Sequence, residues 1–217
     1  MSGSSSGKSV THESSPCRHP GLPRGRGARL LQTFEVFSVT RLEEDRRRLD
    51  PSPYEVLIIA EHPSVVVATG GLKVVPDHTF DDCPPLDVLV VPGGWGTRRE
   101  MLNDRLIAWL IEWARQVTTL ISVCTGSLLL GKAGLLDGKR ATTHWRVLEE
   151  MRRLFPAVNA IDDQHVVEDG DVITSAGISA GIDMALRVVA RHHGDAVARA
   201  TARYMEYPFP EDNRRRV

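Results

Sequence analysis

The chain contains 217 residues, 41% of them hydrophobic and 25% charged, which is typical of a soluble globular protein with room for one sizeable α/β domain. Its net charge of −1 gives no reason to expect nucleic acid or an anionic membrane as a partner, and its apolar runs are far shorter than the about 20 residues of a membrane span. The three cysteines lack the spacing of a disulfide framework or a zinc site, and the first residues carry no signal-peptide pattern, so we expect a reduced, cytoplasmic protein without a bound metal.

The beginning of the chain differs in composition from the rest. Residues 1–29 are rich in Ser, Gly, Pro and Arg without periodicity, and their basic residues outnumber the acidic ones five to one. Such a segment cannot bury enough apolar surface to fold alone. We therefore predict a disordered or non-native tail over residues 1–33, followed by one domain over residues 34–217.

From residue 30 onward, apolar patterns of strand and helix length alternate. The predicted strands cover residues 54–60, 65–68, 72–75, 87–91, 120–123, 164–168 and 171–175. The predicted helices cover residues 30–42, 103–116, 126–136, 142–155, 178–193 and 195–206. Strands that alternate with helices favour a mainly parallel sheet with helices on both faces.

One cysteine lies at the junction of a predicted strand and a predicted helix. The apolar strand ends at Cys124, and the next helix begins directly after it. In parallel sheets, ligands bind outside the carboxyl ends of the strands, and a helix N-terminus stabilises a thiolate. A strand–nucleophile–helix turn of this kind exposes a reactive side chain. The alternative is a buried structural cysteine, and the pattern leaves the two interpretations evenly balanced.

Four segments resemble the DJ-1/PfpI superfamily. They read ISVCTGSLLLGKAGLLDGKRATTHW, VVPGGWGTR, TSAGISAGIDMAL and ARYMEYP, and the resemblance extends over residues 34–217. It is strongest to the isonitrile hydratase branch and to the amidase-like domain of AraC-type regulators. The resemblance implies a flavodoxin-like three-layer α/β sandwich with a nucleophile-elbow cysteine, a homodimer, a small-molecule substrate and no metal or organic cofactor.

The same resemblance assigns roles to five residues. Cys124 matches the reactive thiolate, and the backbone N–H groups of Gly94 and Thr125 match the two donors of an oxyanion hole. Thr125 stands where the protease-like branch has histidine, which argues against that peptidase activity. His144 matches a pocket histidine, although a helix-start residue without chemistry is equally expected. Asp183 is either a carboxylate at the pocket rim or, as we favour, a residue that complements the helix dipole.

Two tryptophans are candidates for pocket walls. Trp95 follows the glycines of VVPGGWGTR, and Trp145 follows His144. A place in the core is the alternative for both, because buried tryptophans are usually core residues.

An acid that the resemblance leads us to expect is missing. Family members place a strand and then an acidic residue before the segment that reads TFEVFSVT here, and the expected position of that acid is close to Arg29. If the codons upstream of Phe34 are read one base later, common codon choices permit a strand and an acid-bearing loop. A one-base deletion or insertion in the gene is therefore one hypothesis, and a divergent natural tail is the other.

The resemblance favours a cysteine-dependent hydratase or hydrolase that converts an isonitrile to an N-substituted formamide, with Cys124 as nucleophile. The alternatives are a non-catalytic redox-sensing or stress-response protein, or glyoxalase-type or chaperone-like detoxification. The sequence ends without a helix-turn-helix pattern after the domain, so we expect no direct control of transcription.

Overall fold

The computed structural model describes residues 8–13, 28–68 and 71–215. The described residues form strands β1 (Lys8–Glu13), β2 (Tyr54–Ala60), β3 (Val66–Val67), β4 (Lys73–Val74), β5 (His78–Thr79), β6 (Val88–Val91), β7 (Thr119–Val123), β8 (Arg140–Ala141), β9 (Asn159–Ala160), β10 (Val166–Asp169) and β11 (Val172–Ser175). They form helices α1 (Ala28–Val39), α2 (Thr97–Glu100), α3 (Asp104–Trp113), α4 (Gly126–Lys132), α5 (Leu148–Leu154), α6 (Ala180–His193) and α7 (Asp195–Tyr204), with a 3-10 turn at Trp145–Val147.

Seven strands form the central sheet, in the order β10-β11-β7-β6-β1-β2-β5. Every neighbouring pair is parallel except β10 and β11, which form an antiparallel hairpin at one edge. Two small pairs lie outside this sheet, β3 with β4 and β8 with β9. The mainly parallel sheet predicted from the sequence is therefore confirmed.

Strand β6 shows why the sheet needs a layer of helices on each face. Its four residues are all buried, and successive side chains of a strand point to opposite faces. Val88 and Val90 belong to a core cluster with residues of α1, α6 and α7. Leu89 and Val91 belong to a second cluster with residues of α3, α4 and α5. The molecule is thus the three-layer sandwich that the sequence predicts.

The predicted tail over residues 1–33 is wrong where the structure describes it. Lys8–Glu13 forms β1 between β2 and β6, and helix α1 begins at Ala28. A gap at this place would leave the facing N–H and C=O groups of two interior strands unpaired. The serine- and glycine-rich composition around this six-residue segment concealed a run that contains Val10 and Thr11, both common in strands. Residues 1–7 and 14–27 lie outside the described residues, and the reading-frame hypothesis stays a prediction.

The helix predicted over residues 142–155 begins later than expected. Residues 142–144 belong to no helix or strand, and α5 follows the 3-10 turn. Thr142 and Thr143 explain the difference, because their polar groups form hydrogen bonds outside this segment. The Thr142 N–H donates to Thr174 Oγ1 at 2.8 Å, and the Thr143 hydroxyl donates to the Cys124 carbonyl at 3.0 Å.

Four further short elements were not predicted, namely α2 and the strands β5, β8 and β9. Within the described residues, no helix is both long enough and apolar enough to cross a bilayer.

Candidate active site

Cys124 joins β7 to α4 and has an unusual backbone conformation. Its φ is 56°, in the left-handed region that non-glycine residues rarely adopt. The Cys124 N–H donates to the carbonyl oxygen of Ser175 at 3.0 Å. The Cys124 carbonyl accepts the hydroxyls of Ser127 and Thr143, each at 3.0 Å. Both peptide groups around the thiol are thus fixed, in the manner of a nucleophile elbow.

Two glycines let the end of β6 approach this turn. A Cβ atom on Gly126 would lie 2.2 Å from the Val91 carbonyl oxygen, closer than any real contact. A Cβ atom on Gly93 would lie 2.6 Å from both the Thr125 nitrogen and the Val123 carbonyl oxygen. The turn with Cys124 therefore packs directly against the loop that follows β6, which only glycine permits.

Thr125 ties that loop to the cysteine turn. Its hydroxyl accepts the Gly94 N–H at 2.9 Å and donates to the Gly94 carbonyl at 3.1 Å. The predicted oxyanion donor of Gly94 is consequently engaged by the Thr125 hydroxyl in this structure. The two residues lie beside each other as the resemblance implies, and their roles as oxyanion donors stay a prediction.

An open cavity of about 590 Å³ lies over the cysteine turn. The described residues that line it are Gly94, Trp95, Arg98, Cys124, Thr125, His144, Trp145, Arg146 and Val147. Four of the five predicted site residues therefore meet at one cavity, and Asp183 is not among the lining residues. The Cys124 side chain is fully buried at this place, whereas both tryptophans are exposed. Both tryptophans are thus wall residues and not core residues.

His144 is half-buried and precedes the 3-10 turn. Its Nδ1 accepts the backbone N–H of Arg146 at 3.3 Å, so a neutral ring carries its proton on Nε2. The ring also stacks on Trp145, with centroids 5.8 Å apart and planes inclined by 25°. In this state His144 is a hydrogen-bond donor at Nε2, which does not suit the role of a base at that atom.

Asp183 lies in the first turn of α6 and contacts the end of the chain. Its carboxylate accepts the Tyr207 hydroxyl at 2.8 Å, and its other oxygen is 3.3 Å from His165 Nε2. None of these three residues is among those that line the cavity. The expectation of a rim carboxylate is not met by this placement, and the contacts support a structural role that joins α6 to the C-terminal segment.

Two arginines contribute charge to the cavity lining, and sequence reasoning missed both. Arg98 forms a bidentate ion pair with Glu150, in which Nε is 2.9 Å from Oε1. The Arg146 guanidinium carbon lies 4.8 Å from the centre of the Trp145 ring. Arg98 is the last residue of the segment VVPGGWGTR, and Arg146 directly follows the segment that ends in Trp145, so these positions could have identified them. The described residues contain no group of three or more His, Cys, Asp or Glu side chains placed to hold a metal ion.

The sequence pattern of the DJ-1/PfpI family matches residues 32–191. The chain belongs to the DJ-1/PfpI family. It is 42% identical over 171 residues to the isonitrile hydratase of Pseudomonas putida, which covers 73% of this chain and 72% of that protein. It is 32% identical over 189 residues to the HTH-type transcriptional regulator GbdR of Pseudomonas aeruginosa, which covers 85% of this chain and 51% of the regulator. The chain thus spans about half the length of that regulator.

Solved structures of DJ-1/PfpI proteins share the fold. A ThiJ/PfpI family protein from Pseudomonas syringae superposes with a TM-score of 0.78 at 29% identity, covering 96% of this chain and 78% of that one. DJ-1beta of Drosophila melanogaster superposes with a TM-score of 0.71 at 20% identity, covering 93% of this chain and 99% of that one. The family resemblance and the flavodoxin-like fold inferred from the sequence are confirmed.

Proposed function

We propose that this DJ-1/PfpI protein is a cysteine-dependent hydratase of small electrophilic molecules, and that isonitriles are its substrate class. The observation that carries the proposal is the strained Cys124 turn at the base of a cavity that His144 also lines. The similarity to an isonitrile hydratase over 73% of the chain supports the choice of substrate.

The proposed reaction adds water across the terminal carbon of an isonitrile. The Cys124 thiolate forms a C–S bond to that carbon, and the carbon takes up one proton to give a thioimidate. Water then adds to the thioimidate carbon and protonates the nitrogen. Collapse of this intermediate breaks the C–S bond and releases the hydroxyl proton to water, which balances the proton taken up by the carbon, so an N-substituted formamide leaves and the thiolate is regenerated. One isonitrile and one water are consumed, and no electron is transferred.

The residues around Cys124 have separate tasks in this scheme. The backbone N–H of Thr125, the residue after Cys124, stabilises negative charge on the oxygen of the intermediate. The Thr125 hydroxyl holds the Gly94 loop beside the Cys124 turn. His144 donates a hydrogen bond from Nε2 to the substrate nitrogen. In this scheme water carries the proton that reaches the carbon.

Turnover of a simple aryl isonitrile tests the proposal. Liquid chromatography would follow the formation of the N-aryl formamide by the wild-type chain, by Cys124→Ser and by Cys83→Ser. We expect product from the wild type and from Cys83→Ser, since Cys83 does not line the cavity. Product formation by Cys124→Ser at the wild-type rate, or no product from any variant, would contradict the proposal.

A ligand- or redox-sensing role is the second candidate. The similarity to a protein named as a transcriptional regulator favours it, because such a module needs a cavity and no turnover. In that case peroxide would add oxygen to Cys124, measured by intact mass, while no isonitrile is consumed.

A further inference from the structure

We infer that the cavity selects substrates carrying an anionic group, and that Arg146 is the residue that recognises it. The inference deepens the proposed function, since it concerns the same cavity, and it names the substrate class as small molecules with an apolar body and a carboxylate or similar anion.

Arg146 is held at the cavity by its neighbours in the chain. It lies in the 3-10 turn directly after His144, and its backbone N–H donates to the His144 ring. Its guanidinium lies over the Trp145 ring at 4.8 Å, within the range of a cation–π contact. These contacts with the His144 and Trp145 rings hold Arg146 at the cavity, and neither of them neutralises its charge.

Two other arginines, one on the cavity lining and one in α5, are paired with carboxylates, whereas Arg146 pairs with no described carboxylate. Arg98, on the same lining, binds Glu150 through two hydrogen bonds. Arg152, which lies in α5, binds both Glu149 and Asp162. Arg146 makes no ion pair with any residue that the structure describes, and Glu150 is already engaged by Arg98. The described lining therefore carries a net positive charge.

The rest of the lining suits an apolar body. Trp95 leaves 69% of its surface exposed at the cavity, and Val147 contributes an aliphatic side chain. An exposed indole beside a concave surface is typical of a binding site. The cavity walls would also exclude part of the bulk water from an ion pair between Arg146 and the anion. The pair would be stronger for that reason, because charges attract more strongly away from bulk water.

Two alkylating reagents of nearly equal size test the inference without turnover. Iodoacetate is anionic and iodoacetamide is neutral, and both transfer a two-carbon group to the thiolate with loss of iodide. Peptide mapping by mass spectrometry would give the rate at Cys124 for each reagent. We expect the ratio of the iodoacetate rate to the iodoacetamide rate to fall about fivefold in Arg146→Gln, as expected for loss of one unit charge several ångströms away at a partly exposed site.

Two controls make the comparison specific. Arg153→Gln removes an exposed arginine of α5 that does not line the cavity, and we expect the wild-type ratio. Cys83 in each sample reports the intrinsic difference between the reagents, and its ratio should be the same in all three proteins. An unchanged ratio at Cys124 in Arg146→Gln would overturn the inference.

A binding measurement covers the case in which Cys124 reacts with neither reagent. Calorimetric titration of Cys124→Ser with benzoate and with benzamide should show a preference for benzoate that Arg146→Gln abolishes. Equal binding of the two compounds, or a benzoate preference that survives Arg146→Gln, would overturn the inference. Loss of isonitrile turnover with a retained anion preference would instead count against the proposed function alone.

Discussion

The backbone conformation of Cys124 is held by hydrogen bonds with other residues. A non-glycine residue in the left-handed region costs about 1–3 kcal/mol and persists where the surroundings hold it. Here the carbonyl of Ser175 and the hydroxyls of Ser127 and Thr143 bond the two peptide groups around the thiol. The thiol is consequently presented by a turn whose position is set by β11 and by the segment before the 3-10 turn.

Gly126→Ala should destabilise the protein by about 2 kcal/mol or more, because the added Cβ would overlap the Val91 carbonyl and backbone atoms cannot move aside cheaply. Urea denaturation followed by circular dichroism measures the change. The matched control is Gly177→Ala, whose Cβ would lie 3.7 Å from His144 Cδ2, an ordinary contact, so we expect a small effect. Equal stabilities of the two variants would show that α4 does not approach β6 this closely.

Thr125→Val should lower kcat/KM for the isonitrile at least about tenfold, because the Gly94 loop loses its anchor to the Cys124 turn and small displacements of groups around a reacting centre are costly. Valine keeps the shape of threonine but removes both hydrogen bonds to Gly94. Thr125→Ser keeps the hydroxyl and should retain most of the activity. If the valine and serine variants had equal kcat/KM, the hydroxyl would have no part in holding the loop.

At the scale of elements, β1 determines whether the sheet is continuous. It pairs in parallel with β2 through six residues and with β6 through three. Without it, the two parts of the sheet would be separated, namely β2 with β5 on one side and β6, β7, β11 and β10 on the other. Because the loop after β6 touches the Cys124 turn, the order of β1 also affects the site.

Val10→Pro should prevent stable folding, because proline lacks the N–H that an interior strand needs and Val10 lies opposite both Val56 and Val88. Loss of this pairing is large compared with a domain stability of about 5–15 kcal/mol. Circular dichroism and solubility of the purified chain measure the outcome, with Val10→Thr as a control that keeps the N–H. A Val10→Pro protein as stable as the control would favour the tail predicted from composition over the strand.

At the scale of the whole molecule, the parts predictable from sequence are those encoded locally. The buried strands β6 and β7 were visible as apolar runs, and the turn at Cys124 followed from a strand ending directly before a helix. The short motifs next to these strands contain Gly94, Thr125 and His144. All three therefore line the same cavity.

The parts that were missed depend on partners distant in sequence. The carboxylate of Asp183 meets Tyr207, 24 positions later, and this contact draws it toward the C-terminal segment. The non-helical residues before the 3-10 turn are held by Thr174 and Cys124, which no local pattern reveals. Three expectations stay predictions: that the protein is a homodimer, that it binds no cofactor and that it is cytoplasmic.

Stability at alkaline pH should depend on one buried phenol. Tyr54 is 4% exposed, and burial raises the pKa of its hydroxyl, which also lies 3.2 Å from His192 Nδ1. The folded chain therefore keeps this proton at a pH where the unfolded chain, with an ordinary tyrosine pKa of about 10, has lost it. The unfolded state then binds fewer protons than the folded state, so the free energy of unfolding falls as pH rises above 10, by up to about 1.4 kcal/mol per pH unit.

Urea denaturation at several pH values between 8.5 and about 11.5, a window that brackets the tyrosine pKa, measures this slope. Tyr54→Phe removes the ionisable group, so the loss of stability across the window should be smaller in this variant than in the wild type. Tyr204→Phe is the matched control, because Tyr204 is 56% exposed and its removal should leave the slope unchanged. If all three proteins lost stability in parallel, the titration of lysines and of the other tyrosines would account for the decline, and Tyr54 would have no special part in it.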